Sequence, residues 1–244
     1  MQILELFSGS QSFSNVARRH GHECFTSDFK DFPNTDYVVD IFNFDVSKVP
    51  FIPDVIWASC PCYGFSVAQI GRNWNHDNTP KTEKAVKGME MVNRTKNIIR
   101  HFQELNPDLS FIIENPRGKL RKLALLNPYI MKTVTYCQYG DSRMKPTDIW
   151  TNLSHYWIPK SMCSNGDSCH QSAPRGSGKG TEGLKDNFER SKVPSQLCEE
   201  LLQLCNDRVV RSNVSSSQID SWLGAIDCGT EWGGHTHQNR HRTS

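Results

Sequence analysis

The chain has 244 residues, 36% of them hydrophobic, 10% aromatic and 22% charged, with a formal net charge of +2. That length can bury a full core without a metal or disulfide, and this much Leu, Ile, Val and Phe excludes whole-chain disorder. No stretch approaches the roughly 20 apolar residues of a bilayer span, so no membrane partner is expected, and the small net charge excludes a protein that coats nucleic acid by charge alone.

Apolar strand-like runs alternate with helical patterns along the chain, which predicts an α/β sheet. Ile3 to Phe7 is the first run, ending in the turn Ser8-Gly9-Ser10. A short helix with Phe13, Val16 and Ala17 on one face stops at Gly21. Cys24 to Ser27 ends at Asp28, Tyr37 to Val39 ends at Asp40, and Asp54 to Ser59 leads into Cys60-Pro61-Cys62-Tyr63-Gly64-Phe65-Ser66. Residues 63–81 lack periodicity and read as a long functional loop. Thr79 and Pro80 predict the start of a helix whose Val86, Met89, Val92, Ile99, Phe102 and Leu105 recur at helical steps. Leu109 to Ile113 leads into Glu114-Asn115-Pro116, and Lys132 to Cys137 with Thr147 to Thr151 predict a hairpin-like pair around Gly140-Asp141.

The character changes near residue 155. From Ile158 to Gly183 there are five glycines and two prolines without periodicity, an irregular insert. Pro194 opens a helix with Leu197, Leu201, Leu204 and Cys205 on its apolar side. The expected division is a catalytic α/β domain over 1–151, an insert over 152–189, a returning helix over 190–210 and a tail over 211–244, whose His-rich end reads as frayed.

Ligands on open α/β sheets collect at the carboxyl ends of the strands. Gly9, Asp28, Asp40, Cys62 and Glu114 each follow a predicted strand and so rim one crevice. Asp28 is placed for the two hydroxyls of a ribose, Asp40 for an adenine amine, Phe7 for the adenine face, and Gly9 for close backbone approach. Each feature alone has a bland reading, as a strand-end cap, a core thiol or a solvated carboxylate. Their order is what lifts them.

At these residues the chain resembles the DNA (cytosine-5) methyltransferase family, as a compact member of the bacterial or phage type. Leu4-Glu5-Leu6-Phe7-Ser8-Gly9-Ser10 resembles its cofactor turn and Ser59 to Ser66 its Pro-Cys nucleophile motif. Ile113-Glu114-Asn115-Pro116 resembles its Glu-Asn-Val motif and Gln138 to Lys145 its arginine motif. Arg190 to Pro194 is a fainter match to the last motif. The resemblance spans residues 3 to about 205 in family order. It implies a Rossmann-like fold that binds S-adenosyl-L-methionine through Phe7, Gly9, Ser10, Asp28, Asp40, Pro61 and Val193. It implies DNA as partner, contacted by Ser66, Arg72, Lys145 and Arg175, with the cytosine flipped from the stack. A monomer in a cytoplasmic setting, bacterial or phage-infected, with a restriction enzyme as one cellular partner, completes the expectation.

The implied chemistry needs these groups together. Carbon 5 of cytosine is too weak a nucleophile to attack a methyl sulfonium, and thiolate addition at carbon 6 turns the ring into an enamine that can. Cys62 is the implied nucleophile, and Cys60 has a packing role. Glu114 is to hold N3 and the exocyclic amine and supply a proton, and Arg143 to contact the base carbonyl. Loop 63–81, with Arg72, Asn73, Trp74 and Lys81, is the candidate for closing behind the base, against the alternative of a plain solvated loop.

The chain departs from the family pattern at Gln11, where a second glycine is usual, at Tyr63 for glutamine, at Pro116 for valine and at Lys145 for a second arginine. The recognition region is short. Nine cysteines cannot form a complete disulfide set, which suits a reducing compartment. Cys163, Cys169 and His170 within the insert can seed a zinc site, with Cys137, Cys198 or His155 as the fourth ligand. The alternatives to a DNA enzyme are a tRNA or RNA cytosine-5 methyltransferase, a catalytically silent nucleic-acid-binding homologue, and transfer of a modified methyl group.

Overall fold

The computed structural model describes residues 1–153, 155–164, 166–171 and 186–227, the backbone alone being described at 187 and 212–227. Seven strands form one sheet: β1 (Gln2–Leu6), β2 (Glu23–Asp28), β3 (Tyr37–Val38), β4 (Val55–Ser59), β5 (Ser110–Pro116), β6 (Ile130–Thr135) and β7 (Pro146–Thr151). Their order is β3-β2-β1-β4-β5-β7-β6. The pairs β1–β2, β1–β4, β2–β3 and β4–β5 are parallel, whereas β7 runs antiparallel to both β5 and β6. The chain steps outward from β1 to β3 and then crosses back to β4 on the other side of β1. The strand order therefore reverses at β1 and β4, and a crevice opens at their carboxyl ends.

The central strands are apolar on both faces, as parallel strands covered by helices must be. Ile3, Val55, Trp57 and Ile112 point to the face covered by α1 (Ser12–Arg19) and α5 (Ser195–Asp227). Phe13 of α1 stacks on Trp57 with ring centroids 4.6 Å apart. From α5, Leu197, Cys198, Leu201 and Cys205 complete this layer, all fully buried. Leu4, Leu6, Ile56, Ala58 and Ile113 point to the opposite face, covered by α3 (Glu83–Leu105) through Ala85, Val92, Ile98, Ile99 and Phe102.

Three expectations change. The long helix starts at Glu83, because Thr82, not Thr79, supplies the cap oxygen to the Ala85 amide. Residues 63–81 are less open than predicted: they contain a 3-10 turn and the short α2 (Ile70–Asn73), and Pro80 bridges back to Trp74. The last helix runs to Asp227 rather than ending near 210. The β6–β7 pair is antiparallel as expected, but β7 lies between β6 and β5, which brings residues 136–145 to the carboxyl edge of β5.

One buried carboxylate has no role in the predicted site. Glu5 of β1 is 3% exposed, and its Oε2 accepts from the Ser14 amide in the first turn of α1 at 2.7 Å. Burial pushes its pKa up from 4.5 to about 7. The folded chain thus holds a proton there that the unfolded chain has released, and this contribution is lost as pH rises through about 7. Glu5→Gln keeps an acceptor for Ser14 and removes the ionisation. Its stability relative to the native chain should rise between about pH 5 and pH 8, by about 1–3 kcal/mol, in parallel denaturant titrations. A difference independent of pH would contradict this assignment.

Candidate active site

The turn after β1 is held by its own backbone. Phe7 and Gln11 take left-handed conformations, φ 57° and 47°, while Gly9 does not. A side chain at Gly9 would meet the Phe32 ring at 3.0 Å, so a small residue suits the packing of this turn. Gln11 occupies a backbone conformation that glycine adopts freely. Its side chain offsets the strain by donating to the Pro33 carbonyl at 2.9 Å and accepting from Arg18 at 2.8 Å.

Asp28 ends β2 and is nearly buried. Its Oδ2 accepts from the Gly9 amide and its Oδ1 from the Lys30 amide, both at 3.0 Å, so the carboxylate ties the β1 turn to the β2 end. Burial raises its pKa above the usual carboxylate value. An open cleft with a cavity volume of about 140 Å³ lies beside it, lined by Phe7, Asp28, Asp40 and Pro61 together with Phe29, Ile41, Tyr63 and Met91. Four of the seven predicted cofactor residues thus meet in one cleft. Phe29 was missed, although an aromatic directly after a strand-end acid is a readable signal; it is 62% exposed. Ser10 sits beside the turn, its hydroxyl 2.9 Å from that of Ser12. Val193 does not line this cleft: it is buried, and its amide donates to Ser12 Oγ at 3.0 Å.

The two cysteines of the Pro-Cys turn differ as expected. Cys60 is buried, with its Sγ 3.6 Å from the Thr95 hydroxyl, and burial pushes its thiol up to about 12. Cys62 is partly accessible. Its carbonyl accepts from the Phe65 and Ser66 amides at 2.9 Å, which curls the chain back under the thiol. Phe65 is fully buried and is gripped on three sides: a side chain at Gly118 would reach its carbonyl oxygen at 2.3 Å, one at Gly88 would reach its ring at 3.2 Å, and Trp74 stacks on it at 6.0 Å.

Glu114 lies on β5 directly opposite Ser59 of β4. It is 4% exposed, and the Tyr136 hydroxyl donates to its Oε1 at 2.9 Å. Next to it, Asn115 donates from Nδ2 to the Cys60 carbonyl at 2.8 Å. Burial and the Glu114 charge both raise the Cys62 thiol, while Lys145 and Arg190 lower it. Glu114, Lys145 and Arg190 are thus the charges that act on this sulfur.

Arg143 is elsewhere. Its guanidinium forms a close bidentate pair with Asp141 and donates to the Arg190 carbonyl at 3.2 Å. With Asp141 and Val193 it lines a separate depression. Its planar fork is engaged by the Asp141 carboxylate two residues away, which is the partner a base carbonyl would share or replace. Lys145 instead lies over the Tyr136 ring at 4.7 Å.

In loop 63–81, Asn73 and Trp74 are buried struts, the Trp74 indole donating to the Gly64 carbonyl at 2.7 Å. Arg72 and Lys81 are exposed and Ser66 is half-buried. In the insert, Cys163, Cys169 and His170 meet Cys137, not Cys198 or His155, with the four ligand atoms within 4.8 Å of one another. Arg175 and the His-rich tail lie outside the described residues.

Because the Glu114 charge opposes ionisation of Cys62, Glu114→Gln should lower the thiol pKa and speed its alkylation at fixed pH near 8, by about 3- to 10-fold. Mass spectrometry of the Cys62 peptide after timed iodoacetamide treatment checks this. A slower or unchanged rate would separate the two groups electrostatically.

No family model matches the chain. Among solved structures, a Spodoptera frugiperda DNMT2 variant matches with 19% identity and a TM-score of 0.38, covering 67% of this chain and 53% of that one. The S. pombe Dnmt2 methyltransferase matches with 16% identity and a TM-score of 0.40, covering 62% of this chain and 50% of that one. The chain thus spans about half the length of these solved proteins. A "Probable DNA (cytosine-5)-methyltransferase" of Frog virus 3 (isolate Goorha) is 33% identical over 226 residues, covering 84% of this chain and 100% of the viral one. With that identity carried from end to end of the viral protein, the chain belongs to the DNA (cytosine-5) methyltransferase family.

Proposed function

We propose that this chain methylates carbon 5 of cytosine in DNA through a covalent bond from Cys62 to carbon 6. The observation that carries the reading is the pairing of a partly accessible thiol at the end of β4 with a buried carboxylate on the neighbouring strand, at the edge that bears the cleft. S-adenosyl-L-methionine fits that cleft by its chemistry. The Asp28 carboxylate retains acceptor capacity for ribose hydroxyls beyond the Gly9 and Lys30 amides, and Phe7, Phe29 and Ile41 offer apolar walls for an adenine. Asp40 caps the 3-10 turn Ile41–Asn43 through the Phe42 amide and lines the same cleft, within reach of an exocyclic amine. When bound, the cofactor supplies the electrophilic methyl group.

The residues of the chain do the rest. Cys62, as thiolate, forms the bond to carbon 6. Glu114, anchored at Oε1 by Tyr136, takes the Cys62 thiol proton on Oε2 and passes it to N3 as the adduct forms, and N3 returns it when the adduct breaks down. Lys145 is the cation for the base carbonyl, since Arg143 is held by Asp141. After methyl transfer the carbon 5 proton leaves to a base and the sulfur–carbon 6 bond breaks, which restores the thiolate. Pro61 and Tyr63 border the cleft on either side of the thiol. Ser66, Arg72 and Lys81 are the side chains of this edge available to DNA, with the target base flipped from its stack. The name of the viral relative favours DNA over RNA.

Nucleoside mass spectrometry after incubation with S-adenosylmethionine tests the reading, with duplex DNA, single-stranded DNA and tRNA in parallel. 5-Methylcytosine should appear in DNA and vanish with Cys62→Ser. Phe29→Ala should weaken cofactor binding by roughly 3- to 10-fold, and Asp28→Ala by at least as much. Near-normal activity of the serine variant, or product in tRNA alone, would overturn it.

A further inference from the structure

We propose that Cys137, Cys163, Cys169 and His170 bind one zinc ion, which fastens the insert to the catalytic sheet. Two separate segments supply the ligands: Cys137 comes from the 3-10 turn Tyr136–Tyr139 after β6, and the other three from the start of the insert. His170 Nδ1 lies 3.7 Å from Cys163 Sγ and 3.5 Å from Cys169 Sγ. Zinc bonds of about 2.3 Å to sulfur and about 2.0–2.1 Å to nitrogen at tetrahedral angles put S and N about 3.6 Å apart and two sulfurs about 3.8 Å apart. The S–N distances match. Cys137 and Cys163, at 2.9 Å, need a side-chain rotation that opens them by under an ångström.

The surroundings suit a closed structural site. Cys137 and Cys163 are buried, His170 Nε2 has no partner among the described residues, and three thiols with one imidazole are ligands that zinc prefers over calcium or magnesium. Neighbouring groups orient the ligands: Gln138 donates to Cys169 Sγ at 3.5 Å, and the Cys163 amide donates to Thr135 Oγ1 at 3.1 Å. The insert also needs a fastening. Leu153 and Trp157 are buried at its start, but Ile158 and Met162 beyond them are 89% and 40% exposed, so the segment leading to Cys163 buries little apolar surface of its own. A metal at Cys137 would secure it beside Tyr136, the residue that holds Glu114.

The proposal does not rest on the methyl-transfer reading, and its test does not read activity. Full-length chain expressed with added zinc and purified under reducing conditions should carry about one zinc per chain by elemental mass spectrometry. Exchange for cobalt should give the visible absorption of a tetrahedral thiolate site. Cys163→Ser and Cys169→Ser should lose the metal, and Cys24→Ser, outside the cluster, should keep it. Cys169 is exposed, so its variant is the one expected to retain the fold. The native chain free of zinc, metal retained by both Cys169→Ser and His170→Ala, or a Cys137–Cys163 disulfide in the non-reduced peptide map would each overturn the proposal.

Discussion

The hydrogen bond from Asn115 to the Cys60 carbonyl is the constraint on which the site depends. It is buried, spans two neighbouring strands and joins the turn that carries Cys62 to the strand that carries Glu114. Without it a buried carbonyl would lose its partner, at a cost of about 1–3 kcal/mol, and the thiol would lose its register against the carboxylate. The Glu-Asn pair is therefore one device with two outputs. Glutamate faces the reacting edge while asparagine holds the nucleophile turn in place.

Packing completes what that bond begins. Phe65 sits beside the nucleophile turn, backbone oxygens leave no space for a side chain at Gly64 or Gly118, and the Phe65 ring packs tightly on Gly88. Cys60 and Cys62 diverge in chemistry for the same reason. One is sealed against Thr95 and inert, the other lies at the surface of the turn among Glu114, Lys145 and Arg190. Burial and the Glu114 charge raise the Cys62 thiol, so the free chain holds it mainly protonated near neutral pH.

The strand ends were readable because period, strand length and terminal acids agreed at Asp28 and Asp40, whereas β5 runs past Glu114 to Pro116 because β7 pairs with it there. The core positions of α1 and α5 were readable for the same reason. Other features depend on contacts between distant segments, which spacing does not encode. Arg143 donates to the Arg190 carbonyl 47 residues on, and Val193 is drawn to Ser12 across 181 residues of chain. Cys137 could only be one of three candidates until the fold selected it. The helix start moved from Thr79 to Thr82 because the Trp74–Pro80 bridge holds the intervening residues extended. Loop 63–81 reads equally as a closing element or a solvated loop, and neither reading foresees that Trp74 is a buried strut stacked on Phe65.

Covalent trapping tests the central claim most directly. DNA containing 5-fluorocytosine cannot release its carbon 5 substituent as a proton, so the adduct should accumulate once the methyl group is transferred. The account predicts a protein–DNA conjugate that requires S-adenosylmethionine and maps to Cys62. Attachment at Cys60 or elsewhere, or methylation of ordinary DNA with no trapped conjugate, would contradict it.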